Sequence, residues 1–187
     1  LPIEIKRREL YSRIYIAIFA ALKGYRVTLG KKSRFHEFYK KLKPGNYISK
    51  SIGVNNIEYF KNLKNLGHKI LYIDEEGLMS FNKEFTHRRI IKNSLELIDT
   101  FFTWGSKHQS DMIDLYPDFR NKYKVVGNPR FDIIKKDSKS FYLDEVRKIK
   151  DINGDISLLT TKFGKTNYVK RKNISNYYDS QILKGLL

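Results

Sequence analysis

A short apolar segment that ends in three consecutive acids constrains the fold of this chain more than any other feature. Residues 70–73 read Ile-Leu-Tyr-Ile, an uninterrupted apolar run that is typical of a strand buried on both faces of a sheet. Asp74, Glu75 and Glu76 follow at once, and unpaired carboxylates are costly to bury in such a core. The acids are therefore predicted at the carboxyl end of the strand, the edge at which open parallel α/β sheets bind ligands. The alternative is an ordinary solvated acidic turn.

Two joins between a helix and a strand indicate that the sheet is parallel. Residues 21–27 read Ala-Leu-Lys-Gly-Tyr-Arg-Val, and residues 65–70 read Asn-Leu-Gly-His-Lys-Ile. In both, a helix end is followed by a glycine, a polar or aromatic residue and then a strand, which is the pattern of βαβ units. Gly24 suits the left-handed position that ends a helix, and Gly67 is predicted to end the next one. Right-handed crossovers then predict an α/β fold, with a Rossmann-like parallel sheet and helices on both faces.

The spacing of apolar residues places the remaining elements of this first domain. Strands are predicted at 1–5, 26–30, 47–52, 100–105 and 124–126, and residues 127–130 are predicted to form a tight turn. Helices are predicted at 8–22, 35–42, 57–66, 95–98 and 106–115, the third capped by Asn55 or Asn56 and the last by Ser106.

The longest apolar run, Ile14–Leu22, predicts a buried helix. It is far shorter than the roughly 18–20 apolar residues that span a bilayer. The sequence begins at Leu1 rather than at a methionine, and it shows no signal peptide. We therefore expect that the natural amino terminus is missing.

The character of the chain changes after Lys135. Residues 135–140 are polar and predict a linker, residues 141–150 predict a helix, and residues 155–161 predict the first strand of a new sheet. One strand and one helix do not make a stable sheet domain. The predicted organisation is therefore a Rossmann-like amino-terminal domain at 1–135, a linker and helix at 136–154, and the start of a truncated second domain at 155–187.

The formal net charge of +17, from 37 Lys and Arg against 20 Asp and Glu, leaves several partners open. A basic face could rest on anionic lipid, hold an anionic substrate or bind nucleic acid. The lysines are spread along the chain without a dominant arginine cluster, which argues against nucleic acid. Compositional drift is the alternative, because Lys, Asn, Ile and Tyr are abundant together, as codons of an AT-rich genome favour.

Several kinds of chemistry are excluded or disfavoured by the residues present. Cysteine is absent, which excludes disulfides, thiolate metal sites and cysteine catalysis. The four histidines lack metal-ligand spacing, and the sequence contains neither a Gly-x-Ser-x-Gly elbow nor a Gly-x-Gly-x-x-Gly fingerprint after the first strand. Residues 163–167 resemble a phosphate loop but lack its spacing. No metal and no cofactor is therefore predicted.

Four strand ends collect polar residues or glycines, and a parallel sheet brings such ends to one edge. They are Glu4–Glu9, Asp74–Gly77, Trp104-Gly105 and Gly127–Arg130. Arg8 and Arg130 add guanidinium groups that suit a carboxylate or a phosphate. Each end also has a structural explanation, such as a salt bridge between Glu4 and Arg8, a helix-dipole role for Glu9, a packing role for Trp104 or a simple turn at Gly127–Pro129.

Four segments together resemble bacterial surface carbohydrate biosynthesis proteins. They are Pro-Ile-Glu-Ile-Lys-Arg-Arg-Glu-Leu-Tyr-Ser-Arg at 2–13, Leu-Gly-His-Lys-Ile…Asp-Glu-Glu-Gly-Leu at 66–78, Phe-Thr-Trp-Gly at 102–105 and Val-Gly-Asn-Pro-Arg-Phe-Asp at 126–132. They occur in the order of that family and cover about residues 1–135. The resemblance implies the GT-B arrangement of glycosyltransferases, in which two Rossmann-like domains face a cleft.

The chain is similar, more distantly, to transferases that move 3-deoxy-manno-octulosonic acid from its CMP-activated form onto capsule or lipopolysaccharide. Those enzymes carry Glu-Asp-Gly-Phe after a comparable strand, and residues 75–78 here read Glu-Glu-Gly-Leu. The resemblance implies Glu76 as general base or nucleophile-like carboxylate, with Glu75 beside it. The implied substrate-binding residues are Glu4, Arg8, Glu9, Asp74, Gly77, Trp104, Gly105, Asn128 and Arg130, with the two arginines on an anionic sugar or phosphate.

The implied partners are an activated nucleotide sugar and a glycan or glycolipid acceptor, and the implied location is the cytoplasm or the inner face of the cell membrane. In GT-B enzymes the second domain supplies most of the donor site, so this polypeptide alone is not expected to be a competent transferase. Two other functions remain open at this stage. One is a nucleotide-sugar epimerase or polyol-phosphate transferase of the same fold, and the other is a non-catalytic basic binding module.

Overall fold

A computed structural model describes residues 1–75 and 89–157 of the chain. They belong to two compact units, Leu1–Phe141 and Tyr142–Leu187. The predicted site residues Glu76 and Gly77, and most of the strand predicted at 155–161, lie outside the described residues. The predicted domain boundaries stay a prediction.

The described elements alternate between helices and short strands. The strands are β1 (Pro2–Ile3), β2 (Gly30–Lys31), β3 (Asn46–Ser49), β4 (Lys69–Ile73), β5 (Thr100–Thr103) and β6 (Tyr123–Val125). The α-helices that the structure describes in the first unit are α1 (Lys6–Leu22), α2 (Lys32–Phe38), α3 (Ile57–Asn65), α4 (Lys92–Leu97), α5 (Ser106–Leu115) and α6 (Pro129–Asp132), and α7 (Leu143–Asn153) belongs to the second. Turns of 3-10 helix occupy Tyr39–Lys41, Val54–Asn56, Pro117–Lys122 and Lys136–Tyr142.

All of the described strand pairs are parallel. Four strands form one sheet in the order β3-β4-β5-β6, and β1 pairs with β2 in a separate ladder. The register places Tyr47 opposite Ile70, and Tyr72 opposite Phe101. Each connection within the larger sheet passes through a helix, as parallel neighbours require. The predicted α/β class, a parallel sheet flanked by helices, is thereby confirmed.

The β4 strand lies between β3 and β5, where its apolar sequence is needed. Ile70, Tyr72 and Ile73 are buried, and the ring of Tyr72 packs edge-on against Phe101, with centroids 4.6 Å apart. Phe101 in turn packs edge-on against Tyr123 of β6, at 5.5 Å. Aromatic pairs across neighbouring strands therefore form the centre of the core.

Both predicted glycine caps are confirmed. Gly24 has φ of 84° and Gly67 has φ of 80°, a backbone conformation that side chains with a Cβ rarely adopt. After α3, the N–H of Gly67 donates to the carbonyl of Lys64, and the N–H of His68 donates to the carbonyl of Leu63, at 3.0 Å. These bonds turn the chain sharply from α3 into β4.

Several predicted boundaries were wrong. The strand predicted at 26–30 is only the two residues of β2, Gly30–Lys31, because its partner strand β1 is also only two residues long. The helix predicted at 35–42 begins at Lys32 and gives way to a 3-10 turn after Phe38. Gly105, not Ser106, occupies the cap position of α5. The linker predicted at 135–140 contains most of the 3-10 turn Lys136–Tyr142.

The prediction of a buried helix at Ile14–Leu22 was also wrong. None of these side chains belongs to the buried core, and Ile18, Phe19 and Leu22 are 46%, 53% and 77% exposed. The buried residues of α1 are instead polar, namely Glu9, Ser12 and Arg13. Apolar composition alone did not reveal which side of the helix faces the sheet. None of the described helices is both long and apolar enough to cross a membrane.

We predict that Phe101→Ala destabilises the first unit strongly. Phe101 is fully buried between Tyr72 and Tyr123, so truncation leaves a cavity and should lower the free energy of unfolding by about 3–5 kcal/mol. Urea denaturation followed by the fluorescence of Trp104, the single tryptophan, measures the change. The control, Val126→Ala, removes methyl groups from a side chain that is 59% exposed and should stay within about 0.5 kcal/mol of the wild type. Equal effects of the two substitutions would contradict this description of the core.

Candidate functional site

The carboxyl ends of β1 and β3 meet, although no ladder hydrogen bonds join their sheets. Lys50, which directly follows β3, places its Nζ 2.9 Å from Oε2 of Glu4 and 2.7 Å from Oε1 of Glu9. Because β2 pairs with β1 and β4 pairs with β3, the chain adds strands on either side of this junction. Such a reversal of strand order is the place where α/β sheets open a crevice for ligands.

Glu9 is the buried anchor of this junction. Its carboxylate is fully buried and accepts hydrogen bonds from Lys50 and from the backbone N–H of Glu4, at 2.8 Å. Burial alone would raise the pKa of Glu9, but these hydrogen bonds and the positive charge of Lys50 outweigh it and lower the pKa from its ordinary value. Glu9 therefore ties the first turn of α1 to the ends of β1 and β3.

Glu75, directly after Asp74 at the end of β4, lies between two guanidinium groups. Arg13 of α1 donates from Nη2 to Oε1 at 3.2 Å, and Arg130 of α6 donates from Nη1 to Oε2 at 3.4 Å. The side chain of Arg13 is only 1% exposed and that of Glu75 is 8% exposed. The ion pairs of Glu75 with Arg13 and Arg130 thus join α1 and α6 to the end of β4.

Asp74 is held through both its carboxylate and its backbone. Arg89 donates from Nη2 to Oδ2 at 2.6 Å. The backbone carbonyl of Asp74 accepts hydrogen bonds from the indole Nε1–H of Trp104 and from Nδ2 of Asn128, the latter at 3.4 Å. Asn128 also caps α6, because its Oδ1 accepts the N–H of Arg130 at 3.0 Å. The end of β4 is therefore fixed from two neighbouring strand ends.

His108, on the buried side of α5, faces the same carboxylate. Its Nδ1 accepts the N–H of Trp104 at 3.3 Å, so the neutral ring carries its proton on Nε2, which lies 3.6 Å from Oδ2 of Asp74. Burial lowers the pKa of His108, the charge of Asp74 opposes this shift, and Arg89 adds to it. The net lowering keeps the imidazole neutral at about pH 7.

A cavity of about 330 Å³ opens at this edge of the sheet. Its described lining comprises Glu4, Arg8, Lys50, Ser51, Ile52, Gly53, Tyr72, Asp74, Glu75 and Arg89. The volume lies at the small end of ordinary ligand sites. Carboxylates and cationic side chains share the lining, so the cavity suits a small polar ligand that carries both hydroxyl groups and an anionic group.

Arg8 is the lining cation best placed to reach a ligand. Its Nη2 lies 3.4 Å from Oε1 of Glu9, a long contact, and its side chain is 37% exposed. Lys50, by comparison, makes shorter contacts with two carboxylates and is 10% exposed. A guanidinium that is partly exposed beside an otherwise paired lysine can bind an incoming carboxylate or phosphate in a bidentate manner.

The structure sorts the predicted site residues into three groups. Four line the cavity, namely Glu4, Arg8, Asp74 and Glu75. Four support it from behind through the contacts described above, namely Glu9, Trp104, Asn128 and Arg130. Gly105 caps α5 and is absent from the described lining of the cavity, and Glu76 and Gly77 lie outside the described residues.

Sequence reasoning missed Lys50, Arg13, Arg89 and His108. Lys50 was missed because the strand was predicted to run from 47 to 52, whereas β3 ends at Ser49 and so places Lys50 at the same sheet edge. Arg13 lies four residues after Glu9, a spacing that puts both on one side of α1. Arg89 and His108 carried no comparable signal, since their partner, Asp74, is distant in sequence.

Comparisons of the chain with protein-family models, with curated proteins and with solved structures found no match. The fold and the cavity define an α/β protein with a parallel sheet and a polar crevice at its carboxyl edge. The resemblance to surface carbohydrate biosynthesis proteins stays a prediction. Within residues 1–75 and 89–157, no cluster of three or more histidine, aspartate or glutamate side chains could hold a metal ion.

We predict that Glu9→Gln destabilises the protein in a pH-dependent manner. The substitution removes the buried one of the two carboxylate partners of Lys50 and should lower the free energy of unfolding by about 1–3 kcal/mol near neutral pH. Because folding lowers the pKa of Glu9, its contribution is complete above the pKa of an unfolded glutamate, about 4.3, and is lost as the pH falls through the folded-state pKa. Urea denaturation across this range should show that the difference in the free energy of unfolding between variant and wild type becomes smaller at acid pH.

Glu37→Gln is the matched control for Glu9→Gln. Glu37 is also ion-paired, with Arg34 at 2.6 Å, but both side chains are at least half exposed. Its loss should change the free energy of unfolding by less than about 0.5 kcal/mol at any pH. If the loss of unfolding free energy in Glu9→Gln does not change with pH, the charge of the Glu9 carboxylate does not stabilise the junction.

Proposed function

We propose that this chain is the acceptor-side, amino-terminal part of a GT-B glycosyltransferase of surface polysaccharide biosynthesis. The observation that carries the proposal is the acidic turn after β4, whose Asp74 and Glu75 line a cavity at the carboxyl edge of a parallel sheet. The four segments that resemble the family include this turn and the two strand ends that fasten it, at Trp104 and Asn128. The family resemblance and the geometry thus point to the same edge.

The pairing of the described acids supports Glu76 as the reactive carboxylate. Asp74 faces Arg89, and Glu75 faces Arg13 and Arg130, so both acids are already engaged in fixing the turn. Glu76 follows them directly in the sequence. In the proposed reaction, Glu76 accepts the proton of an acceptor hydroxyl while that oxygen bonds to the anomeric carbon of the donor. The bond from the anomeric carbon to phosphate breaks, and the nucleotide leaves with the electron pair.

The proposed ligand of the cavity is an anionic sugar. Arg8 would hold its carboxylate or phosphate, while Glu4 and Asp74 offer oxygens to its hydroxyl groups. The acid sugar 3-deoxy-manno-octulosonic acid, delivered from its CMP-activated form, fits this combination. The activated nucleotide sugar itself would bind mainly to the second domain of the GT-B arrangement.

We predict that Glu76→Ala abolishes sugar transfer. A chain extended through the proposed second domain would be supplied with a panel of nucleotide sugars, the CMP-linked acid sugar first, and a lipid-linked glycan acceptor. Loss of a general base should lower kcat by about 100-fold to 10,000-fold. The control, Glu58→Ala, removes an exposed glutamate on α3 and should transfer at the wild-type rate. Transfer that survives Glu76→Ala would remove the acidic turn from catalysis, and the absence of transfer from every donor would favour an epimerase or a binding module.

We predict that Arg8→Gln weakens binding of free 3-deoxy-manno-octulosonic acid about 10-fold to 100-fold, because a charge-assisted hydrogen bond is lost. Isothermal titration measures the affinity, with a neutral hexose as the comparison ligand. Arg7→Gln is the matched control, since Arg7 is the neighbouring exposed arginine and is absent from the described lining of the cavity. Arg8→Lys should restore only part of the affinity, because an ammonium group cannot bind a carboxylate in the bidentate manner. Equal binding by all of these proteins would contradict the role of Arg8.

A further inference from the structure

The exposed side of α1 is apolar and aromatic. We call this surface the α1 face and define it by Tyr11, Ile18, Phe19 and Leu22, which are 48%, 46%, 53% and 77% exposed. Tyr11, Ile18 and Leu22 are spaced by seven and four residues and so lie on one side of the helix. The half-buried ring of Tyr15 packs against Phe19, with centroids 4.7 Å apart, and extends the same surface.

The solvent-facing charges of α1 and of the residue that follows it are all positive. Lys6, Arg7 and Arg8 are exposed in its first turn, and Lys23 is exposed directly after its last turn. The single acid of α1, Glu9, is buried and bonded to Lys50, so it offers no negative charge to solvent. The solvent side of α1 is therefore a mixture of apolar rings, aliphatic chains and cations.

This composition is not that of an ordinary surface helix. In α3 the apolar residues Tyr59, Phe60 and Leu63 are buried, and the exposed positions carry Glu58, Lys61 and Lys64. The apolar side chains of α3 thus face the core, and its charges of both signs face water, as expected for a surface helix of a globular protein. In α1 the buried side is polar, and the apolar residues face outward.

Neighbouring residues of α6 and the turn after it continue the α1 face. The two helices are in contact, and Phe131 and Ile134 are 44% and 66% exposed. Lys135, in the turn after α6, is exposed and pairs with Asp132 of α6 at 2.6 Å, so these two charges offset one another. The helix that contacts α1 and the turn after it therefore add exposed apolar side chains to this part of the surface.

We propose that the α1 face docks on an anionic lipid bilayer. Outward apolar and aromatic side chains with surrounding Lys and Arg are the features of helices that lie in the interface of a membrane. Tyrosine rings suit this depth, because they present an apolar body and a polar tip. The positive surroundings match the negative potential of anionic headgroups, and the chain as a whole carries a net charge of +17.

A second copy of the chain is a poorer occupant of the same surface. In a two-fold dimer the α1 face would meet itself, so the cations of one copy would lie near those of the other. The acid of α1 is buried and cannot offset this repulsion. Like charges placed opposite one another oppose association. Lipid phosphates provide the complementary charge that a second copy lacks.

Vesicle co-sedimentation tests the proposal with the full chain. We expect binding to vesicles that contain phosphatidylglycerol, weakening as salt increases, and much weaker binding to vesicles of phosphatidylcholine alone. The proposal does not depend on the proposed transferase activity, because no sugar or acceptor is present in the assay. Failure of the wild type to bind the anionic vesicles would overturn it.

The triple variant Ile18→Ser, Phe19→Ser, Leu22→Ser tests the apolar part of the surface. It should bind anionic vesicles at least about tenfold more weakly, because three side chains lose their burial in the interface. The matched control is Val54→Ser, Leu66→Ser, Val126→Ser, which changes exposed apolar residues of the first unit that belong to neither α1 nor α6. The control should bind as the wild type does. Circular dichroism and thermal unfolding check that both variants are folded, and equal binding by the two would overturn the proposal.

The double variant Arg7→Gln, Lys23→Gln tests the charges. Each basic residue near an anionic surface contributes about fivefold to the affinity, so the pair should lose about 25-fold on anionic vesicles and little on neutral ones. Light scattering in solution tests the alternative that a second copy of the chain, rather than lipid, covers the α1 face. If the wild type is a dimer that the serine variant converts to a monomer, while vesicle binding is unchanged, the α1 face is an interface between copies and the lipid proposal is wrong.

Discussion

The buried ion pair between Glu9 and Lys50 is the interaction on which the candidate site depends. It joins two strand ends that share no ladder hydrogen bonds, and it draws the first turn of α1 against the sheet. One turn further along α1, Arg13 reaches Glu75 at the end of β4. A buried charge is costly unless a partner satisfies it, so each of these residues fixes the position of the other. The cavity exists because these pairs hold three strand ends around it.

The same constraint explains why α1 differs from the other helices. Its inner side must carry Glu9 and Arg13 to reach the strand ends, so its apolar residues cannot all face the core. Several of them face solvent instead, and Leu22 is 77% exposed. One helix therefore supports a polar site with one side and presents an apolar, cationic surface with the other. These two features come from the same packing requirement.

Much of the scaffold could be predicted from the sequence, because its signals are local. The apolar run before Asp74 indicated an internal strand, and the glycines at 24 and 67 indicated sharp helix ends with positive φ. Helices between the strands indicated a parallel sheet. Each of these inferences depends only on residues that are close together in the sequence. The cavity itself was predicted only in outline, as a set of strand ends that meet at one edge, and the role of Glu76 remains a prediction.

The sequence by itself determined the parallel α/β scaffold, the strand that ends in acids and the positive charge of the chain. Only the tertiary structure decided that Lys50 pairs with a glutamate 41 residues away, that Arg13 pairs with one 62 residues away, and that the apolar run of α1 faces outward. The physical reason is the range of the interactions. Backbone φ and apolar periodicity are properties of a few consecutive residues, whereas an ion pair and the burial of a helix face depend on how distant elements pack together.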